Sequence, residues 1–125
     1  MSQSNLAGER TGIASESLAS AKYHIVQLDA SAGIEIGEGN TDLLVGVLQN
    51  KPADGLPAIY RFQGTTKLVA GGVISIGDWI TAKSDGRGLT TTTDGDVVIG
   101  RALEAAATDG DIIEVQLSIQ HLYIA

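Results

Sequence analysis

Two histidines, His24 and His121, are the only imidazoles in this chain, and it contains no cysteine. A nucleophile held beside a base is therefore hard to assemble. Neither histidine shares a motif with a serine, and no G-x-S-x-G elbow is present. Both lie among strand-forming residues, where an imidazole serves packing or the surface. Aspartates recur in Asp-Gly pairs, among them Asp85-Gly86, Asp94-Gly95 and Asp109-Gly110. An aspartic protease needs a Thr or Ser between the two residues. A calcium loop needs alternating carboxylates that end in a bidentate Glu. Asp94 and Asp96 alternate once, as do Asp109 and Asp111, with no Glu suitably placed after them. Asx-type turns account for all of them. Gly71-Gly72 lacks the Lys-Ser/Thr and the helix of a phosphate loop. The residues give no catalytic group, no metal ligand set and no cofactor site.

The turns point instead to the elements they connect. Gly-Asp followed by two large apolar residues occurs at Gly77-Asp78-Trp79-Ile80, Gly95-Asp96-Val97-Val98 and Gly110-Asp111-Ile112-Ile113. Each puts a turn pair before residues that suit a half-buried strand. Ser84-Asp85-Gly86-Arg87-Gly88 is a hairpin signal between residues 79–83 and 89–93. Residues 113–120 alternate cleanly, with Ile113, Val115, Leu117 and Ile119 on one face. Further strands are predicted at 22–28, 34–36, 43–48, 58–63 and 65–70. Residues 102–107 (ALEAAA) have high helix propensity, but six residues are short for a helix. The upstream strand pattern runs into them, so a strand is predicted from 97 to 105. The expected fold is all-β, a small β-barrel or sandwich of short antiparallel strands.

Composition agrees with one such domain. Apolar residues make up 43% of the chain and glycines number 16, against a usual glycine share of about 7%. The net charge of −7 argues against nucleic acid, which calls for a basic footprint. No apolar run approaches the ~20 residues of a membrane span, and residues 1–5 lack the features of a signal peptide. No membrane and no secretion are expected.

Residues 1–20 differ from the rest, being rich in Ser, Ala, Gly and Glu. They are expected to form a flexible N-terminal arm ahead of a β-barrel body at 21–125. Leu6, Ile13 and Leu18 are the arm's candidate contacts with a partner. The apolar C-terminal residues Leu122, Tyr123 and Ile124 are candidate oligomer contacts.

Four segments, in order, resemble the capsid cement (head decoration) proteins of tailed phages. They are residues 18–28 (LASAKYHIVQL), 45–55 (VGVLQNKPADG), 69–88 (VAGGVISIGDWITAKSDGRG) and 98–117 (VIGRALEAAATDGDIIEVQL). Trp79, where such proteins more often carry a smaller aliphatic residue, and the long arm are departures. The resemblance implies a non-enzymatic protein made in the host cytoplasm. It would bind the major capsid protein on the outer surface of the expanded virion shell, as a homotrimer, and hold the shell against DNA pressure. On that reading Leu6, Ile13 and Leu18 would meet the capsid. Two other readings compete. A carbohydrate-binding or accessory β-domain would need Tyr60, Phe62 and Trp79 on one platform. A carrier domain would need a modified Lys83, whose flanks lack the Asp-Lys or Met-Lys-Met pattern.

Overall fold

The computed structural model describes residues 8–39 and 43–123. These hold ten strands and no α-helix: β1 (Glu9–Ile13), β2 (Ile25–Leu28), β3 (Ile34–Ile36), β4 (Leu44–Leu48), β5 (Pro57–Arg61), β6 (Thr65–Val69), β7 (Trp79–Ala82), β8 (Gly88–Thr90), β9 (Val97–Ala102) and β10 (Ile112–His121). They form two five-stranded antiparallel sheets, ordered β1-β5-β4-β2-β3 and β6-β10-β9-β7-β8. The all-β expectation holds, in its sandwich form rather than as a closed barrel.

The two orders are one order written twice. Adding five to each strand number of the first sheet gives the second. The agreement extends to individual backbone hydrogen bonds. Phe62 N–H donates to Gly8 C=O (2.9 Å), as Leu117 N–H does to Gly64 C=O (2.8 Å). Tyr23 N–H donates to Leu48 C=O, as Gly77 does to Ala102, both at 2.8 Å. Asp29 to Gly33 (2.9 Å) matches Lys83 to Arg87 (2.8 Å). Residues 8–62 and 64–117 are thus two copies of one β-unit, joined at Gln63.

Each unit curls until the residue after its first strand meets its third strand. Ala14 forms a single parallel bridge to Ile34, and Ala70 forms one to Gly88. Ser15 N–H then donates to Ile34 C=O (2.9 Å) and Gly71 N–H to Gly88 C=O (2.7 Å). One bridge does not make a continuous ladder, so each sheet remains open. The curl needs a close approach where the edges meet, and the units solve it in opposite ways. In unit 1 the small residue is Gly12, where a Cβ would lie 2.7 Å from Ile34 Cγ1. In unit 2 it is Gly88, where a Cβ would lie 2.5 Å from Leu68 Cδ2. Glycine and large aliphatic residue have exchanged strands.

Unit 1 encloses a cluster of Ala14, Leu18, Ala21, Val26, Ile34, Leu48, Ala58 and Tyr60. Leu18 plugs it from the loop before β2, 2% exposed, and its N–H donates to Pro52 C=O (2.9 Å). Ile74 is the matching plug of unit 2, its N–H donating to Ala106 C=O (3.0 Å). Ala106 N–H returns a bond to Ile74 C=O (2.9 Å), which Pro52, having no N–H, does not.

Two expectations need correction. The segment expected as an arm through residue 20 supplies, from residue 8 onward, edge strand β1, the bridge at Ala14 and the plug at Leu18. Its large apolar residues are few, but the unit uses them singly. The long strand expected at 97–105 ends at Ala102, because the chain then turns away so that Ala106 can bond Ile74.

Candidate functional site

The chemically suggestive residues are occupied with turns. Asp78 Oδ2 accepts from Ser75 N–H and from Thr90 Oγ1, both at 2.9 Å. Asp96 Oδ2 accepts from Thr91 Oγ1 (2.5 Å). Asp111 Oδ2 accepts from Ala107 N–H (2.9 Å) and Thr108 N–H (3.2 Å). These backbone donors hold the Asp111 carboxyl below the usual carboxylate range. The three Gly-Asp copies open β7, β9 and β10, which are neighbours in one sheet. The repeat read in the sequence therefore marks three adjacent strands.

Among the described residues, no three His, Asp or Glu side chains come together as a metal site. His24 Nδ1 lies 2.9 Å from the Asp85 carbonyl oxygen, tying unit 1 to the β7–β8 hairpin. Lys83 stands 3.9 Å from Asp109, and its Nζ reaches Gly71 C=O at 3.3 Å. Lys83, the residue a carrier domain would modify, thus ties the β7–β8 hairpin to the β6–β7 and β9–β10 loops. Arg87 joins the same group through Asp109 at 2.6 Å.

The three aromatic residues of the sugar-platform reading do not share a face. Tyr60 is buried in the unit 1 core. Phe62 packs at its rim, where both rings border a shallow cleft of about 480 Å3 with Arg10, Leu44, Val45 and Ile119. Trp79 stands on β7 of the other sheet, under the Arg101 guanidinium at 4.7 Å.

The candidate contact residues separate. Ile13 is 53% exposed on edge strand β1, whereas Leu18 is core. Leu122 is buried and bonded to its own molecule: its N–H donates to Asp96 C=O, and its C=O accepts from Gly95 N–H, both at 2.7 Å. Tyr123 is 80% exposed. Leu6 and Ile124 lie outside the described residues.

Exposed apolar side chains gather elsewhere, on unit 2. Val73 and Ile76 flank the buried plug Ile74, and Ile76 is 71% exposed. Gly77 N–H donates to Ala102 C=O (2.8 Å), so Ile76 and Leu103 sit at either side of one backbone bond. Leu103 is 44% exposed. Trp79 pairs with Arg101 across β7 and β9, and Arg101 Nε donates to Gly77 C=O (3.1 Å). Trp and Arg are enriched at protein-binding hot spots, and here both stand beside exposed aliphatic side chains. No local pattern marks this face, since only strand pairing brings residues 73–79 and 101–103 together.

No curated protein matches the chain. Among solved structures, the crystal structure of the N base of head fiber gp8.5 from bacteriophage phi29 has the same fold. Its TM-score is 0.66 at 21% identity, over 93% of this chain and 98% of that one. The sequence pattern of one family covers residues 17–117, from the unit 1 plug almost to the end of β10. By that match, over most of its length, the chain belongs to the phage cement protein family and is a capsid-associated decoration protein.

Proposed function

We propose that this protein binds the outer surface of the expanded capsid and ties neighbouring copies of the major capsid protein together against the pressure of packaged DNA. Its role is structural, it acts as a homotrimer, and it is made in the host cytoplasm before it joins the virion. The observation that carries this reading is the family match over residues 17–117, which takes in nearly all of both β-units. A ligand that binds only the assembled shell stabilises it by mass action. Three linked copies of one weak site gain avidity without a tighter single contact. Since Leu18 is core, the capsid contact of the arm is assigned to the residues before β1, with Leu6 as the apolar anchor.

Co-sedimentation of the purified protein with expanded and unexpanded shells of its phage tests the reading. Saturable binding to expanded shells alone is expected. Binding to neither would overturn it. Deleting residues 2–7 should leave the thermal transition in place and weaken shell binding. Unchanged binding would remove the arm from the mechanism.

A further inference from the structure

The two units of one chain meet through different faces, and each face has an unused counterpart. Unit 1 contributes Ile25 and Val47, both fully buried in the core cluster of unit 2 with Val97, Ile99 and Leu117. Polar bonds fix this contact. Ile25 N–H donates to Gly86 C=O (2.6 Å), and Val69 N–H to Tyr23 C=O (2.9 Å). Gln49 Nε2 donates to Thr66 Oγ1 (2.8 Å). The contact is heterologous: the β2–β4 face of one unit sits on the β6 edge and hairpin tip of the next.

The matched hydrogen bonds give the equivalent positions. In unit 2, Ile25, Val47 and Gln49 correspond to Trp79, Arg101 and Leu103. In unit 1, Thr66, Val69 and Gly86 correspond to Arg10, Ile13 and Ala32. Trp79 is half-buried, and the other five residues are exposed. The chain therefore ends in one unused face of each kind. The unused β7–β9 face differs from a solvated surface in composition: Lys22 and Gln49 of unit 1 are matched by Ile76 and Leu103.

We propose that the Trp79, Arg101 and Leu103 face of one copy binds the Arg10, Ile13 and Ala32 edge of a second copy, head to tail. The contact repeats the one already made between units within each chain. A heterologous contact closes into a ring when its rotation allows. Three copies closed this way would place six β-units around one axis. This deepens the homotrimer reading above and rests on it, and it names the surface that forms the trimer.

The absence of cysteine allows a clean test. Arg10→Cys and Leu103→Cys are introduced singly and together in the full chain and treated with a short bifunctional maleimide, both free and bound to expanded shells. The double variant should give covalent multimers that stop at three chains, while both single variants stay monomeric. Single variants that dimerise as readily as the double one would overturn the head-to-tail arrangement, as would a double variant that stays monomeric in both settings. Multimers closing at another number would keep the contact and overturn the trimer. Shell co-sedimentation of the same samples reports separately on capsid binding. Trp79, the only tryptophan, gives a second readout. Its emission should shift to the blue as concentration rises, and Leu103→Asp should abolish the shift. A shift unaffected by Leu103→Asp would count against this face.

Discussion

Unit 1 and unit 2 have the same backbone and almost none of the same side chains. At the position of Gly77 unit 1 has Tyr23, and at the position of Gly86 it has Ala32. Tyr23 and Ala32 are the only non-glycine residues with positive φ among the described residues, both at 65°, against 88° and 81° for their glycine counterparts. Leu56 stands where unit 2 has Asp111. What the units share is the set of backbone bonds that make the curl, while composition was free to drift wherever the backbone could bear it. Unit 1 bears some strain in its left-handed residues. Unit 2 meets the same geometry with glycine and aspartate.

The largest effect is expected where neither unit varies. Gly46 and Gly100 lie beside the register shifts of their sheets. A Cβ on either would fall on a carbonyl oxygen of the neighbouring strand, Arg61 for Gly46 and Gln116 for Gly100. Alanine at either position should cost about 4 kcal/mol, more at Gly100, where the approach is closer. Urea denaturation checks this. Tolerance of one substitution but not of the other would mean that the two curls are not held alike.

The plugs come next. Leu18→Ala and Ile74→Ala should each cost about 3 kcal/mol, as buried aliphatic truncations do. If Leu18→Ala left the denaturation midpoint unchanged, residue 18 would belong to an arm after all. The exchanged glycines allow a sharper test. Leu68→Gly with Gly88→Ile rebuilds in unit 2 the arrangement of unit 1. Each single change should destabilise strongly, and the pair should recover about 1–3 kcal/mol relative to the sum. Strict additivity would break the equivalence of Gly12 with Leu68.

Smaller still, Ala32→Gly should stabilise by about 0.5 kcal/mol, since relief of the left-handed alanine outweighs the added chain entropy. A lower midpoint would show that Ala32 is not strained. Last, Asp111→Asn tests the turn carboxylate. Because the folded pKa is depressed, ionised Asp111 contributes stability above its unfolded value, and this is lost as pH falls through the folded one. The variant should therefore lose stability at neutral pH and show a flatter acid decline below about pH 4. An unaltered pH profile would remove Asp111 from the turn's support.

This comparison also shows what the sequence made legible. The strands of unit 2 could be read because glycine and aspartate announce their turns. The duplication could not, because Tyr23-His24 replaces Gly77-Asp78 and Gly55-Leu56 replaces Gly110-Asp111. One trace was available. A glycine inside a strand precedes the Asp-Gly turn at a nearly constant distance, Gly46 to Gly55 and Gly100 to Gly110. Leu18 could not be read as core, because a residue alone among small and polar neighbours gives no periodic signal. Its burial depends on a cavity made by strands that lie far away in sequence. The exposed β7–β9 face was hidden for a related reason. Trp79 and Leu103 each suit a buried strand, and only the pairing of β7 with β9 leaves them outside.

Gly8 lies against Phe62 and Gly64 against Leu117, so each unit begins and ends at the same spot. A module of that kind can be copied in frame beside itself with a single connecting residue, and neither copy needs rebuilding. A gene carrying one such unit was thus one recombination event away from a gene carrying two. The second copy could then evolve a new surface while the first kept the fold.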